Sequence, residues 1–282
     1  MRFSFFLGGL DEAEAVEAYR HLLDDLIRRT NPRVLVPLGN TALKRLTSYG
    51  GRGATITNVR GYVIPSDYGA WVLPTYHPSY IARGKSDLIG VLICDIKRAI
   101  DIARNGFATK PVRYIVYPTL DDALRFEMEY HAAGCPPLGF DIETPESAKL
   151  DEEEVEDKIE DVSYTILRVS FSFAQRHAIT LTWSEPFIPV IKRLLATQEP
   201  KRAWNESFDV PRLTANACPV NGRIYDGMVL WHHLQPTLPK SLGFVSTFYG
   251  WDDEPWKHTS DSEPELYSCL YRDQKVILAD GT

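Results

Sequence analysis

The chain has 282 residues, 44% of them apolar and 24% charged, with a formal net charge of −7 at pH 7. This is the balance of a soluble globular protein, long enough for two domains, and no apolar run approaches the about 20 residues needed to span a membrane. The four cysteines, Cys94, Cys135, Cys218 and Cys269, lie far apart without a CxxC pair, which excludes a disulfide framework or zinc ribbon and points to a reducing cytoplasm.

The opening "MRFSFFLGGL" is too short in apolar residues, and too quickly followed by acids, to read as a signal peptide. Charge divides the chain. Residues 1–110 hold 15 Lys+Arg against 10 Asp+Glu, while residues 111–282 hold 16 against 28, balances of +5 and −12. Two units with different surface duties are expected. A nucleic-acid partner is compatible with this, since local patches govern such binding more than the total charge does.

In chain order, residues 11–30 read as a helix with acids in its first turn and basic residues in its last. "RVLVPLG" (33–39) reads as a strand, followed by a helix that Asn40 or Thr41 caps. "WVLPTY" (71–76) is a further strand, and residues 86–106 a long helix. Alternating strands and helices imply a parallel α/β layer. "FATKPV" (107–112) reads as a linker. Beyond it, strands are expected at 137–144, 164–173 and 176–183, and a fourth near 201–204, with helices between and after. That order suits a mixed sheet covered on both faces. "LDEEEVEDKIED" (150–161), with eight acids against one lysine, reads as a solvated, phosphate-repelling segment.

Four acids stand in unusual places. Asp141 and Glu143 share one face of a strand, roughly 6.6 Å apart. Asp209 falls just inside a helix start in "AWNESFDVPRL", and Asp273 lies in the rather apolar helix "YSCLYRDQKVIL". A carboxylate in an apolar setting is costly unless paired or bound to metal. Four of them from three elements could hold two divalent ions about 3.5–4 Å apart, an arrangement for in-line attack of water on a phosphodiester. Oxygen ligands favour magnesium or manganese.

The motifs "FDIET", "NESFD", "YDGMVLWHHLQPTLPKSLGFVSTFYG" (225–250) and "DEPWK" (253–257), with the helix bearing Asp273, occur in order over residues 113–280. In this order the region resembles the DEDD-type 3′–5′ exonuclease domain of family A DNA polymerases, especially phage-like ones. The resemblance implies a ribonuclease H-like fold, with Asp141, Glu143, Asp209 and Asp273 as catalytic ligands of two Mg2+ or Mn2+ ions. It implies that Asn205 and Phe208 shape the pocket for the terminal nucleotide. For Asp226 a helix-cap role and a functional one both stay open. The family usually has a tyrosine one turn before the last aspartate, where this chain has Cys269; Tyr267 and Tyr271 lie two residues to either side. Either a local distortion brings in one of them, with Tyr271 taken here as the substrate-binding candidate, or the site lacks that hydroxyl.

In the first unit, "VLVPLGNTALKRL", "RGYVIP" and "VLPTYHPSYIARG" form a second series. Residues 11–105 resemble the C-terminal half of family 4-like uracil-DNA glycosylases. The resemblance implies that the His77 segment lies against a flipped uracil and the DNA backbone and that Tyr80 to Arg83 enter the duplex. For His77 a turn histidine that satisfies backbone groups stays equally open, and Arg60, Arg83 and Lys85 are candidate phosphate contacts. The family's Gly-Glu-x-Pro-Gly motif and iron–sulfur cysteines have no match, so no cluster and no glycosylase activity are expected.

The expectation is therefore an α/β chain of two domains. Residues 1–108 would form a partial glycosylase-like domain and residues 112–282 an exonuclease domain releasing nucleotides from single-stranded DNA 3′ ends. A separate DNA polymerase subunit is a possible partner, no membrane is involved, and the location is the cytoplasm of a bacterial or phage-infected cell. The alternatives are a non-catalytic DNA-binding module and a glycosylase half that needs a partner chain.

Overall fold

The structure, a computed structural model, describes residues 12–49, 54–144 and 164–252. Asp273, Cys269, Tyr267, Tyr271, "DEPWK" and the acidic run 150–161 lie outside the described residues. The described chain divides into two compact units, the first built from residues up to Lys110 together with those from Thr237 onward, the second from Pro111–Pro236.

The first unit opens with α1 (Glu12–Ala18) and α2 (Arg20–Thr30), where a single helix was expected. The break falls at Tyr19, whose φ −97° and ψ 3° leave the helical region. Asn31 ends α2 in the left-handed conformation, φ 42°, with its N–H donating to the Ile27 carbonyl. Then come β1 (Val34–Leu35), α3 (Asn40–Leu46), α4 (Ile56–Val59), β2 (Ile64–Pro65), β3 (Trp71–Val72) and α5 (Pro78–Ile81). A 3₁₀ turn at Ser86–Leu88 leads into α6 (Ile89–Asn105). Neither expected cap holds α3: Gly39 is its N-cap, and the Asn40 side chain instead accepts from the Ile56 N–H at 2.7 Å. The expected parallel pairing holds for β1 and β3, but β2 joins β3 antiparallel, so this small sheet is mixed.

α6 buries Val91, Asp95, Ala99 and Ile102, a three-to-four spacing that turns one face into the core. Asp95 is fully buried and meets the Arg60 guanidinium at 3.1 Å, with Thr75 donating at 2.6 Å. Burial pushes the Asp95 carboxyl up, against the attraction of Arg60. Arg60 is only 2% exposed, so it is not available as the phosphate contact the sequence suggested. A buried arginine needs a partner charge and acceptors, and here it has both.

The second unit contains β4 (Arg113–Ile115), α7 (Leu120–Ala132), β5 (Leu138–Glu143), β6 (Arg168–Ala174), β7 (His177–Thr182), α8 (Ile188–Ala196), β8 (Lys201–Ala203), α9 (Glu206–Ala215), β9 (Ile224–Asp226) and α10 (Gly227–Leu234). Its six strands run in the order β4-β7-β6-β5-β8-β9. β6 is antiparallel to both β5 and β7, while β8 runs parallel to β5 and β9 parallel to β8. This is the mixed α/β sheet expected; β4 and β9 are additions of three residues each.

α7 starts on a capping box: the Asp122 N–H donates to the Thr119 hydroxyl at 3.2 Å, and the Thr119 N–H to the Asp122 carboxylate at 2.9 Å. Its Phe126 and Tyr130 pack with Leu138, Phe140 and Ile142 of β5 and with Ile191 and Leu194 of α8 in one core. Arg193 of α8 clamps Glu127 of α7 with two bonds of 2.7 Å.

Segment 225–250, expected to lie wholly in the second unit, is divided. β9 and α10 stay there, but α11 (Leu242–Tyr249) belongs to the first unit. The reason is chemical. Arg60 donates to the Phe244 carbonyl at 3.3 Å and to the Thr247 hydroxyl, its guanidinium lies 4.6 Å from the Phe244 ring, and the Tyr62 and Ser246 hydroxyls bond to each other. Gly61 permits this approach: with φ 79°, it would place a Cβ 3.0 Å from the Thr247 Cβ.

Candidate functional site

β5 alternates strictly. Leu138, Phe140 and Ile142 enter the core, and Asp141 and Glu143 face outward together at the strand end. Opposite them in β6 stand Ser170 and Arg168. Burial first, and then the charge of Glu143, together push the Asp141 carboxyl up to about 6.

Asp209, in the first turn of α9, is 2% exposed, and its Oδ2 has no hydrogen-bond partner among the described residues. Burial above all, then the charges of Asp141, Asp226 and Glu143, together raise this carboxyl to about 7, against the pull of Arg212. β8 pairs parallel with β5 and leads directly into α9, which brings the acids of β5 and α9 to the same end of the sheet. A buried carboxylate oxygen without a partner is costly, and here the like charges of Asp141, Asp226 and Glu143 add to that cost, against the attraction of Arg212. Among the described residues, no three His, Cys, Asp or Glu side chains form by themselves a group able to hold a metal ion. The acids nonetheless fit a divalent ion in kind: all donors are hard oxygens, and one is an orphan.

Asp226 has a different task. It accepts the N–H groups of Asn205 (3.1 Å), Glu206 (2.8 Å), Met228 (2.8 Å) and Val229 (3.2 Å). Burial pushes its carboxyl up, but these four donors outweigh it and hold it below the ordinary value. It caps α10 and at the same time fixes the start of α9, so of the two open roles the structure shows the cap. Gly227 follows it because a Cβ there would lie 2.8 Å from the Trp204 ring.

Asn205 adopts the left-handed region, φ 68°, at the entry to α9, and its side chain accepts from the Ser207 hydroxyl at 2.8 Å. Asparagine tolerates that conformation better than most residues. Phe208 is 38% exposed, one residue before Asp209. One turn on, the Arg212 guanidinium lies 3.5 Å from the centroid of the Phe208 ring. Sequence reasoning missed Arg212, although its i,i+4 spacing from an aromatic was a usable signal.

His77 and Arg83 are exposed and tied to the same residue. The Ser79 N–H donates to His77 Nδ1 at 3.0 Å, so His77 caps α5, and a neutral ring carries its proton on Nε2. Arg83 Nε donates to the Ser79 carbonyl at 3.0 Å. Tyr76 and Tyr80 stack at 5.7 Å, and with His77, Asn40, Lys85 and Pro239 they border a cleft of about 530 Å³.

The family model described as uracil DNA glycosylase superfamily matches residues 9–98. Over 87 residues the chain is 40% identical to the type-4 uracil-DNA glycosylase of Thermotoga maritima, covering 30% of this chain and 44% of that one. The chain thus spans less than half the length of this curated relative. Among solved structures, the Trypanosoma brucei RNase D–GMP complex matches with a TM-score of 0.39 and 17% identity, over 56% of this chain and 47% of the other. The EXD2 exonuclease domain soaked in Mn and GMP matches with a TM-score of 0.33 and 14% identity, over 56% and 83%. No described helix is long and apolar enough to cross a membrane.

Proposed function

We propose that the second unit is a metal-dependent 3′–5′ exonuclease that removes nucleotides from single-stranded DNA 3′ ends, in the manner of the proofreading module of a family A DNA polymerase. The observation that carries this reading is the Asp209 carboxylate, buried with an oxygen that has no partner among the described residues, at the end of the sheet where β5 carries its paired acids. The sequence motifs around Asp141 and Asp209 support the class of reaction.

Asp141, Glu143 and Asp209 would hold the ions, with Asp273 as the fourth ligand of the proposed set. Bound divalent ions would supply a water of lowered pKa and stabilise charge on the departing 3′ oxygen. The chain's own residues do the rest. The three carboxylates concentrate negative charge at the end of β5. Asp226 fixes the start of α9, and with it the position of Asp209, through two backbone N–H groups. Asn205 and Phe208 border the place of the terminal nucleotide. A DNA polymerase supplied by another chain or domain is the proposed partner.

A 5′-labelled single-stranded oligonucleotide tests this directly. With Mg2+ or Mn2+ it should shorten stepwise from its 3′ end, and Asp141→Ala should stop the ladder. Undiminished digestion by that variant overturns the assignment. An RNA oligonucleotide of the same sequence, run in parallel, measures the preference between DNA and RNA.

A second reading concerns the first unit and rests on the family match over residues 9–98. We propose that this unit binds DNA through the His77–Arg83 segment without releasing uracil. Uracil-containing DNA should be retained by the chain yet stay intact after alkali. Strand breaks at uracil would show an active glycosylase instead.

A further inference from the structure

We propose that Arg212 is a positioning residue for the 3′-terminal nucleobase, acting through Phe208 as a stacking platform; this deepens the nuclease reading and rests on it. The Arg212 side chain is committed to Phe208 twice. Its guanidinium lies 3.5 Å from the ring centroid, and its Nη1 donates to the Phe208 carbonyl at 2.7 Å. Its Nε is buried and has no hydrogen-bond partner among the described residues, so this edge is not spent on a neighbouring carboxylate. A planar guanidinium on an aromatic face is a strong cation–π arrangement.

The tether has a geometric consequence. A Phe side chain with 38% exposure would ordinarily rotate among its staggered positions. Arg212, one helical turn later, covers one ring face and so fixes its plane. The solvent-facing part of the ring is then presented one residue before Asp209. Aromatic rings that bind single strands do so by stacking on bases, at about 1–3 kcal/mol per base, without choosing among them. A pre-set ring loses less freedom when a base arrives. Through the ring Arg212 acts on the base; its attraction for the Asp209 carboxyl is a separate effect of its charge, which Arg212→Lys keeps.

The test compares two oligonucleotides, one ordinary and one whose 3′-terminal nucleotide lacks its base. On the ordinary substrate, Arg212→Ala should raise KM about threefold to tenfold, and Phe208→Ala, which leaves the charge beside Asp209 in place, should raise KM at least as much with kcat little changed. On the baseless substrate, wild type and Arg212→Ala should have equal KM. Arg212→Lys, which keeps the charge but loses the plane, should behave like Arg212→Ala. Full activity in Arg212→Lys, or an equal effect of Arg212→Ala on both substrates, overturns the platform in favour of a charge contact with phosphate. If the wild-type chain digests neither oligonucleotide, it is the nuclease reading that fails. The platform is then judged by equilibrium binding in EDTA: weaker binding of Arg212→Ala to the ordinary end alone supports it, and equal affinities overturn it.

Discussion

Asp209 is the residue at which folding and metal binding oppose each other. Its carboxyl is pushed to about 7, and that of Asp141 to about 6, both above the ordinary 3.8. Between about pH 4 and 7 the folded chain therefore holds more protons than the unfolded one. The contribution of these two groups to stability is greatest at the acid end and is lost as pH rises through that window. The metal-free protein should lose Tm across it, as followed by circular dichroism. Asp209→Asn keeps the shape and removes the charge. At pH 8 we expect it to raise the metal-free Tm by about 3 °C, roughly 1 kcal/mol, and to abolish digestion. Saturating Mg2+ or Mn2+ should stabilise the wild type by about 2.7 kcal/mol at a hundredfold excess over Kd, seen as a higher Tm, and should leave Asp209→Asn nearly unmoved. A Tm for Asp209→Asn equal to or below that of wild type at pH 8 would remove the case for an uncompensated charge. Much of this was legible in the sequence: "FDIE" alternates so plainly that both acids must share a face. The orphaned oxygen was not, because partners are a property of space.

Among the elements, the start of α9 shows how a site is held from a distance. Asp226 lies 20 and 21 residues from the two N–H groups it accepts there, and nothing in local spacing announces such a link. Asp226→Ala should cost about 2–3 kcal/mol, a lost cap together with backbone donors left unpaired in a buried place. The loss should appear as a lower denaturation midpoint and as slower digestion, because Asp209 rides on the same helix. Lys201 of β8 gives a second case. It is fully buried, and its ammonium donates to the Thr197 carbonyl and hydroxyl and to the Glu199 carbonyl at 2.8–2.9 Å. Lys201→Met leaves those acceptors empty and should destabilise the second unit by about 2–4 kcal/mol in urea unfolding. Short strands explain other gaps between sequence and structure. β4 and β9 have three residues each, too few to show an alternation, and each is held by a neighbouring strand already in place.

At the scale of the whole molecule, the assignment of α11 to the first unit could not be read from the sequence. An amphipathic helix shows that it has an apolar side, not which core receives it. Its recipient was set by Arg60, a buried cation needing acceptors that Phe244 and Thr247 supply. Phe244→Ala combined with Thr247→Ala should therefore loosen the first unit, by taking away the ring and hydroxyl that Arg60 meets, while sparing the β5–β6–β7 sheet. Hydrogen exchange should quicken in α6 and around Tyr62, with the strands of the second unit protected as before. Unchanged protection of α6 would show that the first unit closes its core without these two side chains.

The same arrangement fixes an order of events during synthesis. The first unit begins near the start of the chain, yet its last described piece leaves the ribosome only after the whole of Pro111–Pro236 has been made. At about 5–20 residues per second, that interval is on the order of ten seconds. For that time the Arg60–Asp95 pair waits without its lid, and a chaperone that shields apolar surface would have its client there. The six described strands of the second unit, Arg113 to Asp226, meanwhile emerge as one stretch, free to form their sheet first.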